Sequence, residues 1–397
     1  MFPSPSSDHD LRRARAQVLL AGICALVLSV GLSRFAYTPL LPVMRQEAGL
    51  SVLAGGWLAA LNYLGYISGI LLAAGAGGLY RKYQLYRLCL VLAVLSTLAM
   101  GLTENLYLWA WWRYVGGFSS IAGLLLASGL VLDWLRRHGQ RPELGVHFTG
   151  MGIGIIVSGL AVGAMTGVVG WDTQWVNLGL LSALFFVPAW CWLPAPPKTV
   201  AALADAPAPT SRRWLGLMIA AYFCAGVGYV ISATFIIDIL ERLPPLAGRG
   251  GWVWLILGVA ALPSAFLWDR IAQRFGQIAA LLLAYALQTF SILLPALTTD
   301  TALNLLSAVL YGGTFVGIVS LSLSLVGRRF PHNPARAMAR LTLSYGLAQI
   351  AAPALAGYLA SLTGSYRGAL FAAAGAMLAG MLLLGLLARL REAEPAP

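Results

Sequence analysis

The chain has 397 residues, of which 59% are hydrophobic and only 10% charged, with a formal net charge of +12. That is more apolar surface than a soluble protein can bury, so the composition describes a polytopic membrane protein.

An arginine-bearing tail, residues 1–16, precedes the first apolar run. It imitates a signal peptide, but the run is too long for an h-region and lacks a small-residue cleavage site, so it reads as an uncleaved first span. Further runs long enough to cross the hydrocarbon core, which takes about 20 residues, follow along the chain. The expected spans are 17–44, 52–79, 85–102, 106–135, 143–168, 173–193, 214–240, 250–270, 275–297, 301–326, 336–361 and 367–390, twelve in all. They are long and rich in Ala, Leu and Gly, whereas a barrel needs alternating segments of about ten residues. An all-α membrane protein is therefore expected.

An even number of spans puts both termini on one side. Twenty of the 26 basic residues fall on that side, among them Arg81, Lys82, Arg136, Arg137, Arg328 and Arg329. The positive-inside rule places both termini in the cytoplasm, so the net charge reflects topology and no nucleic-acid partner is expected. Cys24, Cys89, Cys191 and Cys224 lie in or at the ends of apolar spans without CxxC spacing. That argues against disulfides and zinc, and neither cofactor nor metal is expected.

After the sixth span, "LPAPPKTVAALADAPAPTSRRW" is rich in Pro, Ala and small polar residues, the composition of a linker. It divides the chain into a six-helix bundle at 17–193, a cytoplasmic linker at 194–213, a second bundle at 214–391 and a tail at 392–397. The halves echo each other. Arg136 to Gly154 aligns with Arg328 to Gly346 at a constant offset of 192, matching both arginines, Pro142 with Pro334 and Gly154 with Gly346. "GGW" recurs at Gly55 and Gly250, and "YVGGF" at Tyr114 faces "YGGTF" at Tyr311. Such internal repetition is the sequence sign of transporters whose site lies at the repeat interface near the midplane.

With six plus six spans and a cytoplasmic middle loop, the chain resembles the major facilitator superfamily over essentially its whole length. More narrowly, "GLSRFAYTPLLPVM" followed by "AGGWLAALNYLGYISG" resembles the YbfB-type bacterial branch. The resemblance implies two pseudo-symmetric six-helix bundles, secondary transport by alternating access and a place in the bacterial inner membrane. "RYVGG" in the fourth span, with Arg113 and Gly117, resembles the family's buried-arginine motif. "LWDRIAQRFG" is similar to its cytoplasmic gate motif, with Arg274 and Gly276 matching, Gln273 at the usual Asp position, and Asp269 and Arg270 just before. The equivalent first-half loop, "GGLYRKYQLYR", has no acid.

Arg34 lies about ten residues, roughly 15 Å, from the outer end of its span, and Arg113 at a comparable depth of roughly 12 Å. A buried arginine costs at least about 2.5 kcal/mol on insertion scales, so it faces a cavity or a partner. The 14 acids sit almost entirely in loops, tails or span ends, and Asp238 alone reaches toward the outer half of the membrane. Two arginines with one acid within reach leave room for an anionic substrate, although pairing with Asp238 or helix-end carbonyls, or snorkelling, stays open.

Tyr37 and Thr38 follow Arg34 at three- and four-residue spacing, and Asn62 and Tyr66 share a face of the second span. Tyr229, Gln288, Tyr311, Tyr345 and Gln349 supply polar or amphipathic groups from the second half. Together these would line a cavity suited to a carboxylate or phosphate on an organic body. His147, within the fifth span, is the remaining candidate for proton coupling, its alternative being a satisfied or cytoplasm-exposed histidine. The function expected is secondary transport of a small organic anion such as a carboxylate by a monomer in the lipid bilayer. Efflux of amphipathic or cationic compounds, or sensing without flux, are the alternatives. Nothing in the chain resembles an enzyme: it carries no HExxH, paired catalytic carboxylates or phosphate-cradling loop.

Overall fold

The structure is a computed structural model that describes residues 8–141, 144–197, 212–241, 243–246, 250–330, 334–363 and 365–393. These residues are all-helical, without a strand. The first span is built from α1 (Asp8–Leu26), a π-helical segment (Val27–Phe35) and α2 (Tyr37–Glu47). Then follow α3 (Val52–Gly75), α4 (Leu79–Met100), α5 (Leu106–Arg137), α6 (Gly145–Met165), α7 (Trp171–Cys191), α8 (Arg212–Glu241), α9 (Gly250–Phe275), α10 (Gln277–Leu297), α11 (Thr301–Arg329), α12 (Pro334–Thr363) and α13 (Arg367–Ala393). Among the described residues, eleven helices are long and apolar enough to cross a membrane. The 30-residue α12 contains the remaining expected span.

Two differences from the sequence reading stand out. The first helix begins at Asp8, inside the supposed tail 1–16, because helical hydrogen bonding continues past the apolar run through Arg12, Arg13 and Arg15. The first span is also not one α-helix: Ala36 N–H donates to Gly31 O at 3.1 Å, an i to i−5 bond of π winding. Most of the linker expected at 194–213, from 198 to 211, lies outside the described residues, as do 394–397 of the tail.

Polar residues fix several helix starts. Ser51 Oγ accepts from Ala54 N–H, Asn105 Oδ1 from Tyr107 and Leu108, and Asp300 Oδ1 from Leu303. Each satisfies backbone donors that a helix N-terminus leaves open. Gly78 and Gly276 precede α4 and α10 with φ of 63° and 88°, a left-handed conformation that glycine adopts without strain.

The chain divides into two compact units. The first comprises Met1–Asp205 with His332–Ala339, and the second Ala206–Pro331 with Arg340–Pro397. In the first, α5 is almost wholly buried and packs tightly on α3 and α4. Small residues let the backbones meet: a side chain at Gly65 would strike Tyr114 O, one at Gly69 Phe118 O, and one at Gly117 Asn62 O. Helices in lipid gain little from the hydrophobic effect on pairing, so this close approach supplies the contact energy. In the second unit α9 and α11 pack in the same manner. Gly312 faces Leu257 O and Gly317 the Trp268 ring, while Ser264 Oγ and Trp268 Nε1 donate to Gly313 O at 2.8 and 2.7 Å.

α6 carries a stripe of glycines, Gly150, Gly154 and Gly163, of which the first two touch neighbouring segments. They meet Ile23 on α1 and Gly31 in the π segment, whereas Gly163 faces open space.

Candidate functional site

The first unit gathers two arginines in its interior. Arg113, on α5, is only 4% exposed. Its Nη1 donates to Ser33 O at 3.4 Å, its Cζ lies 4.1 Å from the Tyr37 ring centroid, and its buried Nε has no hydrogen-bond partner among the described residues. Arg34, at the end of the π segment, is half-buried. Its Cζ lies 4.6 Å from the Tyr66 ring, 5.3 Å from Tyr63 and 5.6 Å from Phe35. The ionisable groups acting on Arg113 are Tyr37, Arg34 and Tyr63. Among the described residues that set holds phenols and the second cation and no carboxylate.

Arg34, Tyr37 and Thr38, expected on one face, straddle the end of the π segment. A π segment turns less per residue than an α-helix, so spacing rules built on 3.6 residues per turn fail across it. Tyr37 lies under Arg113 and donates its hydroxyl to Gly55 O at 2.8 Å, while Arg34 is flanked by the α3 tyrosines. Thr38 is half-buried. Asn62 is buried, and its Nδ2 donates to Arg113 O at 2.8 Å, tying α3 to α5 at the arginine itself. Tyr63 was missed by the sequence reading; its three-residue spacing from Tyr66, on a helix facing an arginine, was the available signal.

The second unit holds an aromatic cluster. The Tyr229 ring lies 6.1 Å from Tyr311, 5.5 Å from Tyr345 and 5.4 Å from Phe315. Tyr222 stacks on Tyr345 at 4.7 Å. Tyr311 donates its hydroxyl to Tyr229 O at 2.8 Å, so two expected ligands are linked to each other. Gln288 and Gln349 are buried, and Gln288 Oε1 has no partner among the described residues. Tyr222 and Phe315 were not anticipated, since nothing in spacing distinguishes a clustered aromatic residue from a lipid-facing one.

Of the residues assigned to coupling or gating, His147 is fully buried. Its Nε2 lies 3.0 Å from Ser128 Oγ on α5, and its Nδ1 has no partner among the described residues. A side chain at Gly22 would strike the His147 ring, so α1 seals it from the other side. Asp269 is 7% exposed, whereas Arg270 and Arg274 are exposed, with Cζ 4.3 Å from the Phe266 ring and 5.5 Å from Phe275. Gly276 caps α10. The side chain of Asp238 lies outside the described residues. Among the described residues, no group of three or more His, Cys, Asp or Glu could hold a metal.

Comparison with known proteins places the chain in a family. The chain is 25% identical to the transporter YycB of Bacillus subtilis (strain 168) over 364 residues, 88% of each chain. It is 25% identical to the transporter YgaY of Escherichia coli O157:H7 over 188 residues, so the match spans about half of that relative, 46% of its length. Two solved structures share the fold, each alignment covering 94% of this chain and 99% of the other. They are the nucleoside transporter NupG, with TM-score 0.65 and 14% identity, and the human organic anion transporter MFSD10, with TM-score 0.70 and 18% identity. The family model described as "Uncharacterised MFS-type transporter YbfB" matches residues 26–384, and the chain belongs to that family of multi-pass membrane transporters.

Proposed function

We propose that the chain is a secondary active transporter of a small organic anion, working by alternating access, with Arg34 and Arg113 as its anion-recognition pair. The observation that carries this reading is the electrostatic setting of Arg113. It is buried, and among the described residues its Nε has no hydrogen-bond partner and the ionisable groups beside it are two tyrosines and a second arginine. A carboxylate accepting from both guanidinium groups would relieve their repulsion and satisfy that donor through charge-assisted bonds. Tyr63 and Tyr66 would wall the organic body of the substrate, with Asn62 and Tyr37 holding the arginine in place. The neighbours named as nucleoside and organic anion transporters resemble this chain at 14% and 18% identity; they support the fold and leave the substrate to the site.

The test is thermal unfolding of the purified protein with carboxylates, lipophilic cations and neutral amphiphiles, run beside Arg34→Gln. A ligand that binds only the folded state raises stability by RT ln(1 + [L]/Kd). Carboxylates that stabilise the parent but not the variant, and that then enter proteoliposomes carrying the parent alone, are the expected result. Cations stabilising both proteins while anions stabilise neither would reject the anion reading.

A further inference from the structure

The second unit contains a cleft of about 370 Å³ between the start of α10 and the arginine-bearing last turn of α11. Its lining includes Trp214, Gly276, Gln277, Leu325, Arg328 and Arg329. It shares no residue with the arginine site of the first unit or with the tyrosine cluster.

Three kinds of hydrogen-bond donor converge there. Arg328 and Arg329 form the last turn of α11, and the Arg329 guanidinium lies 5.7 Å from the ring of the buried Trp214. The 21-residue α10 starts at the cleft, and its N-cap, Gly276, has no side chain to satisfy the first amides. The Gln277 Nε2 atom is buried and has no partner among the described residues. A helix N-terminus carries about half a positive charge. Asp269 lies on α9 one turn before Ala272, which also lines the cleft. Counted in full against the two arginines, it still leaves a net positive charge.

We propose that this cleft binds a phosphate group, carried by an anionic phospholipid of the membrane or by a soluble phosphate compound. A tetrahedral oxyanion offers enough acceptors for forked guanidinium donors, helix N-terminal amides and an amide together. The apolar wall of Trp214 and Leu325 accommodates the glycerol or other organic portion of the molecule. The inference is independent of the transported substrate: the cleft shares Gly276 with the gate motif but none of the residues assigned to substrate binding.

The experiment has two arms, both with the full-length protein. In one, the protein is placed in nanodiscs of phosphatidylcholine with increasing phosphatidylglycerol, and retained lipid is counted by native mass spectrometry. In the other, inorganic phosphate and glycerol phosphate are titrated against delipidated protein in neutral detergent, with thermal stability as the readout. Loss of both guanidinium groups in R328Q/R329Q is expected to weaken binding at least about tenfold, and Gln277→Glu, which adds a negative charge to the cleft, to weaken it similarly. Arg389→Gln, an exposed arginine on α13, controls for diffuse surface charge and is expected to leave binding unchanged.

A response in the lipid arm alone identifies a headgroup, a response in the soluble arm alone identifies a soluble phosphate compound, and a response in both shows that the phosphate itself is recognised. No preference for phosphate in either arm, or an equal loss in Arg389→Gln, overturns the proposal. If the double variant fails to fold, Gln277→Glu decides by itself.

Discussion

Arg113→Gln separates an arginine kept for binding from one kept for packing. In the ligand-free protein the guanidinium makes a cation–π contact with Tyr37 at 4.1 Å, worth about 2 kcal/mol when desolvated. Its bond to Ser33 O is long at 3.4 Å, and contributes at most about 1 kcal/mol. Against this stands the cost of burying the cation, at least about 2.5 kcal/mol on insertion scales. The terms nearly cancel, so the substitution is expected to change the stability of the ligand-free protein by no more than about 1 kcal/mol, or roughly 2–4 °C in Tm for a unit of this size. Carboxylate affinity, by contrast, is expected to fall at least about tenfold, since one lost charge-assisted bond exceeds the 1.4 kcal/mol that a decade represents. Thermal unfolding with and without the carboxylate reads both quantities on one sample. A drop of more than about 10 °C without ligand, at several times the expected magnitude, together with unchanged ligand response, would refute the reasoning and make Arg113 a structural strut.

Gly154→Val is expected to destabilise the first unit by about 3 kcal/mol or more through overpacking, since even a Cβ there would lie 2.6 Å from Gly31 Cα. Gly163→Ala, which meets nothing within 4 Å, should leave Tm unchanged; equal losses would show that the stripe packs as a whole. Gly276→Ala places a side chain at φ 88° and is expected to cost about 1 kcal/mol, visible as a lower Tm. Among the cysteines, Cys191 is exposed and Cys89 buried, so a maleimide should label the first quickly in folded protein and the second only after denaturation. Mass spectrometry of the labelled peptides checks the order.

Much of the fold was legible in the sequence, because a bilayer admits few solutions. Apolar runs of spanning length must be helices there, since every backbone polar group has to be satisfied within its own segment. The buried arginines were legible for the same reason: a charge in an apolar run stands out by its cost. Their surroundings were not. That Arg34 lies among Tyr63, Tyr66 and Phe35 while Tyr37 lies under Arg113 is a matter of contacts between helices beside a π segment, Val27–Phe35, which no 3.6-residue pattern encodes. The partners of Asn62 and His147 also come from other helices, at sequence separations of 51 and 19.

The sequence by itself determined that this chain is a helical membrane protein of the major facilitator type with arginines inside it, because hydropathy and repetition are written along one dimension. Only the tertiary structure decided which groups face those arginines, which glycines bear helix contacts, and that α10 begins and α11 ends around a basic cleft. Those are contacts between helices, set by close backbone approach.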